Sequence, residues 1–341
     1  MNDQQTWPSV GIVIPCYQEK NYIEKCIRSC IEQSYSGKIH IVVVDGGSND
    51  GTIGIIQTIE KEFPNQIVLK NNPLKVTPIS LNIGLQHLET DFKMILGAHS
   101  YLTHVYIEKS VQAFKLDPQL DCVGGIIINE YQDDTSRIIG MAMSSPFGVG
   151  NATFRTGGKK GLVDTVAFGM YKKEVFESIG YFNENLIRNQ DDEFNFRLTQ
   201  NHGKILFDPE IISHYFARGN YSKLFRQYFQ YGFWKVYVNV LHQSVTSVRQ
   251  LIPCFFVIYL ICATALNILL PQHALLWNIP MFLYLLVGIL AAAKKDFKKC
   301  LSILWTFLLL HLSYGSGYLK GIIQFGILKQ QAKAQHAKHN R

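Results

Sequence analysis

Short apolar runs alternate with stretches of helical period over the first two thirds of the chain. Val10 to Pro15 reads as a first strand, ended by Pro15, which has no N–H for a sheet ladder. A helix over Asn21 to Gln33 puts Ile23, Cys26, Ile27 and Cys30 on one face. Ile41 to Val44 carries no polar alternation, as expected of a strand buried on both faces. Asp45 and a glycine-rich turn follow it, then a helix from Thr52 to Phe63 with Ile53, Ile55, Ile56 and Ile59. Ile67 to Lys70 is a third strand. Pro78 to Leu88 is a helix with Ile79, Ile83 and Leu88 inward, and Lys93 to Leu96 is a fourth strand. Tyr106 to Lys115 reads as helix, Asp121 to Asn129 as strand, and the Gly- and Ser-rich stretch Tyr131 to Lys160 as loops. Val163 to Tyr171 then reads as strand, Lys173 to Ile179 and Asp192 to Gln200 as helices, and Lys204 to Phe207 as a last strand. This alternation predicts an α/β domain with a mainly parallel central sheet.

The pattern changes after residue 220. Tyr221 to Val240 is aromatic, cationic and amphipathic, as expected of a helix at a membrane interface. Leu251 to Leu270 and Ala274 to Ala293 are each long enough to cross a hydrocarbon core of ~30 Å. Cys300 to Leu319 is apolar in its first half and small or polar in its second. The expected division is therefore a catalytic-type domain over 1–220, an interface region over 221–250, membrane helices over 251–325 and a basic tail over 326–341. Lys294 to Lys299 (KKDFKK) is basic, whereas the short loop Pro271 to His273 carries no Lys or Arg. The positive-inside rule puts the basic loop, and with it the globular part, in the cytoplasm. A third full crossing would place the basic tail outside, against that rule; otherwise the third segment is interfacial or re-entrant.

Composition agrees with this split. Hydrophobic residues make up 47% of the chain and charged residues 17%. The net charge of +7 gathers near the apolar segments, which suits a membrane surface or a phosphorylated substrate rather than nucleic acid. The seven cysteines form no C-x-x-C pair, as expected of free thiols in a reducing compartment. The first residues, MNDQQTWPSV, show neither a basic n-region nor an apolar h-region.

The chemistry concentrates at strand ends. Asp45 stands at the carboxyl end of a strand, where ligands of open α/β sheets bind; a turn-capping role is the alternative. Taken in order, IVIPCYQEKNYI, VVVDGGSNDGT, RNQDDEFNFRL and RQYFQYGFWK resemble the family 2 inverting glycosyltransferases. The similarity is greatest to membrane-anchored bacterial enzymes of the succinoglycan type. The resemblance implies a GT-A-type, Rossmann-like nucleotide-sugar-binding domain followed by transmembrane helices. It implies that Pro15, Tyr17, Glu19, Asp45, Asn82, Gly84 and Ala98 line the donor, with Asn82 equally readable as a satisfied helix residue. Asp50 is assigned to stabilising the turn. The family's D-x-D element falls on Gly97, Ala98 and His99, so the first carboxylate is missing and His99 is the candidate ligand for Mn²⁺ or Mg²⁺, or else a structural histidine. Asp191 matches the catalytic base, with Gln190 where the family has Glu. A one-residue slip would make Asp192 the base, and Glu193 has a dipole-stabilising reading. Gln227, Tyr231 and Trp234 match an aromatic and amide element over donor and acceptor, or a membrane-interface belt. Arg218, Lys223, Arg226 and Lys235 suit phosphates or solvent.

The implied activity is transfer from a nucleotide sugar, a uridine diphosphate sugar first among them, to a polyprenyl-diphosphate-linked oligosaccharide. Membrane lipids would be the other partner. The rival is a catalytically silent scaffold, supported by Gly97 and Gln190. A dinucleotide oxidoreductase lacks its G-x-G-x-x-G after the first strand, where Pro15 and Cys16 stand.

Overall fold

The computed structural model describes residues 7–217, 219–245 and 248–330. Arg218, the first six residues and the basic tail beyond 330 lie outside the described residues. The chain divides into two compact units. The first combines residues 7–129 with 157–216, and the second combines 130–156 with 217–330.

In chain order the elements begin with β1 (Val10–Cys16), α1 (Ile23–Ile31), β2 (Ile39–Asp45), α2 (Thr52–Glu62), β3 (Ile67–Asn71), α3 (Thr77–His87) and β4 (Phe92–Ile95). Then come β5 (Ser100–Leu102), α4 (Tyr106–Leu116), β6 (Cys122–Glu130), and three helices of the second unit, α5 (Asp134–Met143), α6 (Pro146–Val149) and α7 (Thr153–Thr156). The first unit resumes with β7 (Gly161–Val163), β8 (Ala167–Lys172), α8 (Lys173–Ile179), α9 (Gln190–Gln200) and β9 (Ile205–Phe216). The second unit ends in α10 (Tyr221–Leu241), α11 (Ile252–Leu269), α12 (Ala274–Lys295) and α13 (Cys300–Gly321).

The first unit holds one sheet in the order β3-β2-β1-β4-β8-β6-β9-β5, with β7 also on β9. Strands β3, β2, β1 and β4 run parallel. The expectation of a mainly parallel sheet is corrected to a mixed one, because β8 pairs antiparallel with both β4 and β6, and β9 pairs antiparallel with β5 and β7. Apolar runs looked alike in both halves because both are covered by helices, and burial does not encode strand direction. Strand β9 runs through Pro209. On one edge its rungs with β7 end at Phe207 and those with β5 begin at Ser213, so the proline lies between these two ladders, while β6 neighbours β9 on the other edge. Pro15 likewise stays in β1, beyond its last rung with β4 at Val13 and Ile95.

The β2 core residues Ile41, Val42, Val43 and Val44 are all buried, as their unbroken apolar run requires. Gly84 lets α3 lie against β1, since a Cβ there would sit 2.4 Å from Val13 Cγ1. Ile83 is only half-buried; Leu81 and Leu85 take the inward face instead.

In the second unit, the stretch expected to be loops is helical. Asp133 caps α5 by accepting from Ser136 N at 2.6 Å. The α5 residues Ile138, Ile139, Ala142 and Met143 pack with Leu224, Phe307 and Leu310. Three helices, within Arg249–Leu269, Pro271–Lys295 and Cys300–Ile327, are long and apolar enough to cross a membrane. The small residues of α13 serve close packing. A Cβ at Gly317 would run into the carbonyl oxygen of Phe229 on α10, and one at Gly315 into that of Pro253 on α11.

Candidate active site

Strands β1 and β2 end level, Cys16 beside Asp45, and their loops are zipped together. Gln18 N donates to Ser48 Oγ (2.8 Å), Glu19 N to Thr52 Oγ1 (2.9 Å) and Lys20 N to Asp50 Oδ2 (3.2 Å). Asp45 is buried. Its Oδ1 accepts from Gly47 N and Ser48 N, both at 2.7 Å, and its Oδ2 from Ser48 Oγ (2.6 Å) and Cys16 Sγ (3.2 Å). Those four bonds fill an ionised carboxylate's acceptor sites, so Asp45 shapes the turn here. Asp50 also serves the turn. Its burial opposes ionisation, but hydrogen bonds from the Thr52 hydroxyl and from backbone N–H groups outweigh it and hold the carboxyl below its usual range.

Gly47 and Gly51 both have left-handed backbones, with φ of 81° and 102°. A side chain at either would meet a lysine: Lys75 Nζ lies 3.8 Å from the Cβ position of Gly47, and Lys20 Nζ 3.9 Å from that of Gly51. Lys75 also lies 5.5 Å from the ring centre of Tyr17. A glycine turn flanked by two cations at strand carboxyl ends is suited to a phosphate-bearing ligand. Lys75 escaped the sequence reading. Its one signal was the turn sequence NNPLK, which gives it a left-handed φ of 59°. Gln18, Phe168 and Asn189, with φ of 58°, 51° and 61°, share that conformation, and such non-glycine residues concentrate where function requires them.

His99 Nδ1 lies 3.2 Å from Glu19 Oε1, and its ring stands edge-on to Tyr215 at 4.9 Å between centroids. A carboxylate on one ring nitrogen fixes the tautomer and leaves the other nitrogen as a ligand. An imidazole nitrogen can serve a divalent cation, but hard Mn²⁺ and Mg²⁺ prefer oxygen ligands, and among the described residues no three His, Cys, Asp or Glu side chains converge. Beside His99, the buried Ser100 Oγ has no hydrogen-bond partner among the described residues. Gly97 is not sterically required: its Cβ would stand 3.4 Å from Phe168 Cε1 and 3.5 Å from Ser100 Oγ.

Three of the residues expected to line the donor have structural partners of their own. Asn82 is consumed in holding the 182–184 loop: Nδ2 donates to Phe182 O and Glu184 Oε1, both at 2.9 Å, and Oδ1 accepts from Phe182 N at 3.0 Å. Gly84 serves helix–strand packing, as above. Ala98 is buried in the main core.

Helix α9 starts after Asn189, and Asp191 in its first turn is exposed, Asp192 half-buried. The helix is pinned from beneath. Tyr171 OH donates to Asn195 Oδ1 (2.8 Å) and Asn195 Nδ2 to Thr165 Oγ1 (2.9 Å). Burial first, then Cys122 and the Asp191 carboxylate, push the Tyr171 phenol up. Glu193 is a strut rather than a dipole charge: buried, it binds Arg197 Nε at 2.8 Å, and Arg197 reaches the carbonyls of Ile179 and Tyr181. Truncation would leave Arg197 without its counter-ion, so Glu193→Ala is expected to destabilise the first unit by about 3 kcal/mol. Thermal unfolding of the two variants Glu193→Ala and Glu193→Gln checks this; Gln, which keeps an acceptor, should lose less. Gln190 Oε1, next to Asp191, is buried with no partner among the described residues.

Cys26 and Cys30 are buried, and desolvation pushes both thiols up, Cys30 to about 12. They are inert core residues.

In the second unit Gln227 Nε2 donates to Tyr231 OH at 2.8 Å. Trp234 is buried beside Phe233, Tyr237 and Phe325. Lys235 is buried, so it is no solvated cation, whereas Lys223 and Arg226 are exposed.

Residues 11–180 match the family model described as Glycosyl transferase family 2. A dolichyl N-acetyl-alpha-D-glucosaminyl phosphate 3-beta-D-2,3-diacetamido-2,3-dideoxy-beta-D-glucuronosyltransferase of Methanococcus voltae is 28% identical over 324 residues, 92% of this chain and 97% of that protein. The succinoglycan biosynthesis protein ExoA of Rhizobium meliloti is 26% identical over 257 residues, 74% of this chain and 76% of that protein. Among solved structures, the mannosyltransferase PcManGT from Pyrobaculum calidifontis, in complex with GDP-Man and Mn²⁺, has the same fold. Its TM-score is 0.58 at 16% identity, covering 93% of this chain and 90% of that one.

Proposed function

Since the chain carries a glycosyl transferase family 2 domain on a GT-A-like fold, we propose that it moves a sugar from a nucleotide-sugar donor to a lipid-linked acceptor, with inversion. The observation that carries this reading is a cation-flanked glycine turn at the ends of β1 and β2, in one unit with the exposed Asp191. The Methanococcus relative, matched along nearly its whole length, is named as a transferase acting on a dolichyl-linked sugar phosphate, which favours a transferase over a silent scaffold.

In the proposed reaction, Asp191 takes the proton of the acceptor hydroxyl as its oxygen attacks the anomeric carbon. The bond from that carbon to the donor diphosphate breaks on the opposite face, and the nucleoside diphosphate leaves with the electron pair. Lys20 and Lys75 offset the charge on the diphosphate. Pro15, Tyr17 and the Asp45 turn form the donor's floor. His99, oriented by Glu19, would hold a divalent cation, which when bound neutralises the leaving group. Gln227 and Tyr231 are assigned to the acceptor side. The apolar helices anchor the enzyme where a lipid-linked acceptor resides, with the globular unit in the cytoplasm and a uridine diphosphate sugar as the first donor to try.

Nucleotide release from a panel of uridine and guanosine diphosphate sugars tests this reading. It predicts release with one donor that rises at least tenfold on adding a membrane lipid extract. Donor binding without release from any sugar would instead support the scaffold.

A further inference from the structure

The third apolar helix does not follow the other two. Helices α11 and α12 form an antiparallel hairpin: Phe256 stacks on Tyr284 at 4.4 Å, and Tyr259 OH lies 3.0 Å from Trp277 O and 3.1 Å from Met281 N. A helix crossing the bilayer beside this hairpin would meet residues progressively farther from the hairpin's basic end as it advanced. Helix α13 does not. Its first residue, Cys300, has its sulfur 3.5 Å from the carbonyl oxygen of Ile289. Leu304 packs under Gly288, whose Cβ would lie 2.6 Å from it. About two turns later, His311 Nδ1 meets Tyr284 OH at 2.8 Å and its ring stands edge-on to Phe256 at 6.3 Å between centroids. Gly315 then abuts Pro253, at the very start of α11. Pairing Phe256 with Tyr284 puts Pro253 level with about residue 287 of α12. From Cys300 to Gly315 the helix advances about 22 Å along its own axis. Over that length its contacts on the hairpin shift only between the levels of residues 284 and 289, about 8 Å. Helix α13 therefore runs across the hairpin, close to the end that bears Lys294 and Lys295.

Two further features agree. Helix α10 lies along α13, with Tyr221 OH 3.5 Å from Thr306 Oγ1, Gly232 against Tyr314 and Gly321 against Phe233. It carries the exposed Lys223 and Arg226, charges that a membrane crossing would have to drag through hydrocarbon. The outward face of α13 bears Leu301 and Trp305, 77% and 56% exposed, an apolar edge of the kind that beds into a headgroup boundary. By contrast, Ile268 and Leu275, at the far end of the hairpin, are each 75% exposed, which suits them to lipid.

We infer that α13, together with α10, lies in the plane of the membrane surface across the basic end of the α11–α12 hairpin, and that residue 330 is on the same side of the membrane as Lys298. The inference rests on the membrane-anchoring reading. The basic stretch after α13 then obeys the positive-inside rule that a third crossing would break.

Cysteines added one at a time to the full chain test this; the five native cysteines that are kept, Cys16, Cys26, Cys30, Cys122 and Cys254, are buried. Gln330→Cys and Lys298→Cys are introduced separately into a Cys262→Ser, Cys300→Ser background and treated with a membrane-impermeant maleimide in right-side-out and inverted vesicles. Gln330→Cys and Lys298→Cys should label from the same face, and only from that face. Labelling from opposite faces overturns the inference alone. Release of the protein by alkaline carbonate would overturn the anchoring reading and this inference with it.

Discussion

Replacing Asp191 by Asn is expected to lower acceptor-dependent nucleotide release roughly 100- to 10,000-fold, the usual contribution of a general base. The substitution keeps size and removes the negative charge together with the ability to take a proton. Asp191 is exposed, so its change removes no buried packing. The helix that presents it is held by other residues, Tyr171 with Asn195 and Glu193 with Arg197. Donor binding should therefore survive, and the unfolding temperature should not move. Asp192→Asn is the comparison. With Asp192 half-buried in the same turn, its replacement should cost less than about tenfold; a larger loss than from Asp191→Asn would move the base by one residue.

Gly317→Leu is expected to break the second unit. The Cβ alone would collide with the Phe229 carbonyl, which belongs to the backbone of α10 and cannot turn aside as a side chain can. Relief requires the two helices to separate and expose the buried Phe307 and Leu310. Overpacking of this kind costs about 3 kcal/mol or more. Gly326→Leu is the control, because among the described residues only Ile322 Cγ2, at 3.9 Å, lies near its Cβ position. Thermal stability of the detergent-solubilised protein should fall sharply for Gly317→Leu and stay unchanged for Gly326→Leu. Equal stability of the two would show that α10 and α13 are not packed backbone to backbone.

The parallel half of the sheet was legible because β1, β2 and β3 each carry a short apolar run and are each followed by a helix. The other half was not. Strand β5 is too short to show a pattern, and Pro209 made β9 look as if it stopped at Phe207. Helix α5 was hidden because its apolar face is narrow and interrupted by Gly140; what folds it is partners distant in sequence, Leu224 and Phe307. The second half of α13 read as small or polar, and its glycines are what bring the backbones together. At the site, Asp45, His99 and Asp191 stood out by motif and position. The partners of Asn82, Gly84 and Ala98 were not legible: motif spacing places a residue near a ligand but does not reveal what its side chain packs against. Glu19 at His99 and Lys75 over the turn are meetings of separate loops, which no local pattern encodes.

The central claim is sugar transfer to a lipid. The most direct measurement incubates the purified full chain with a radiolabelled nucleotide sugar and membrane lipid extract, then follows label into the organic phase. The account predicts label in the lipid fraction with wild-type protein, an anomeric configuration opposite to the donor's, and almost none with Asp191→Asn. Label retained wholly in the aqueous phase for every donor, or transfer that Asp191→Asn leaves intact, would contradict it.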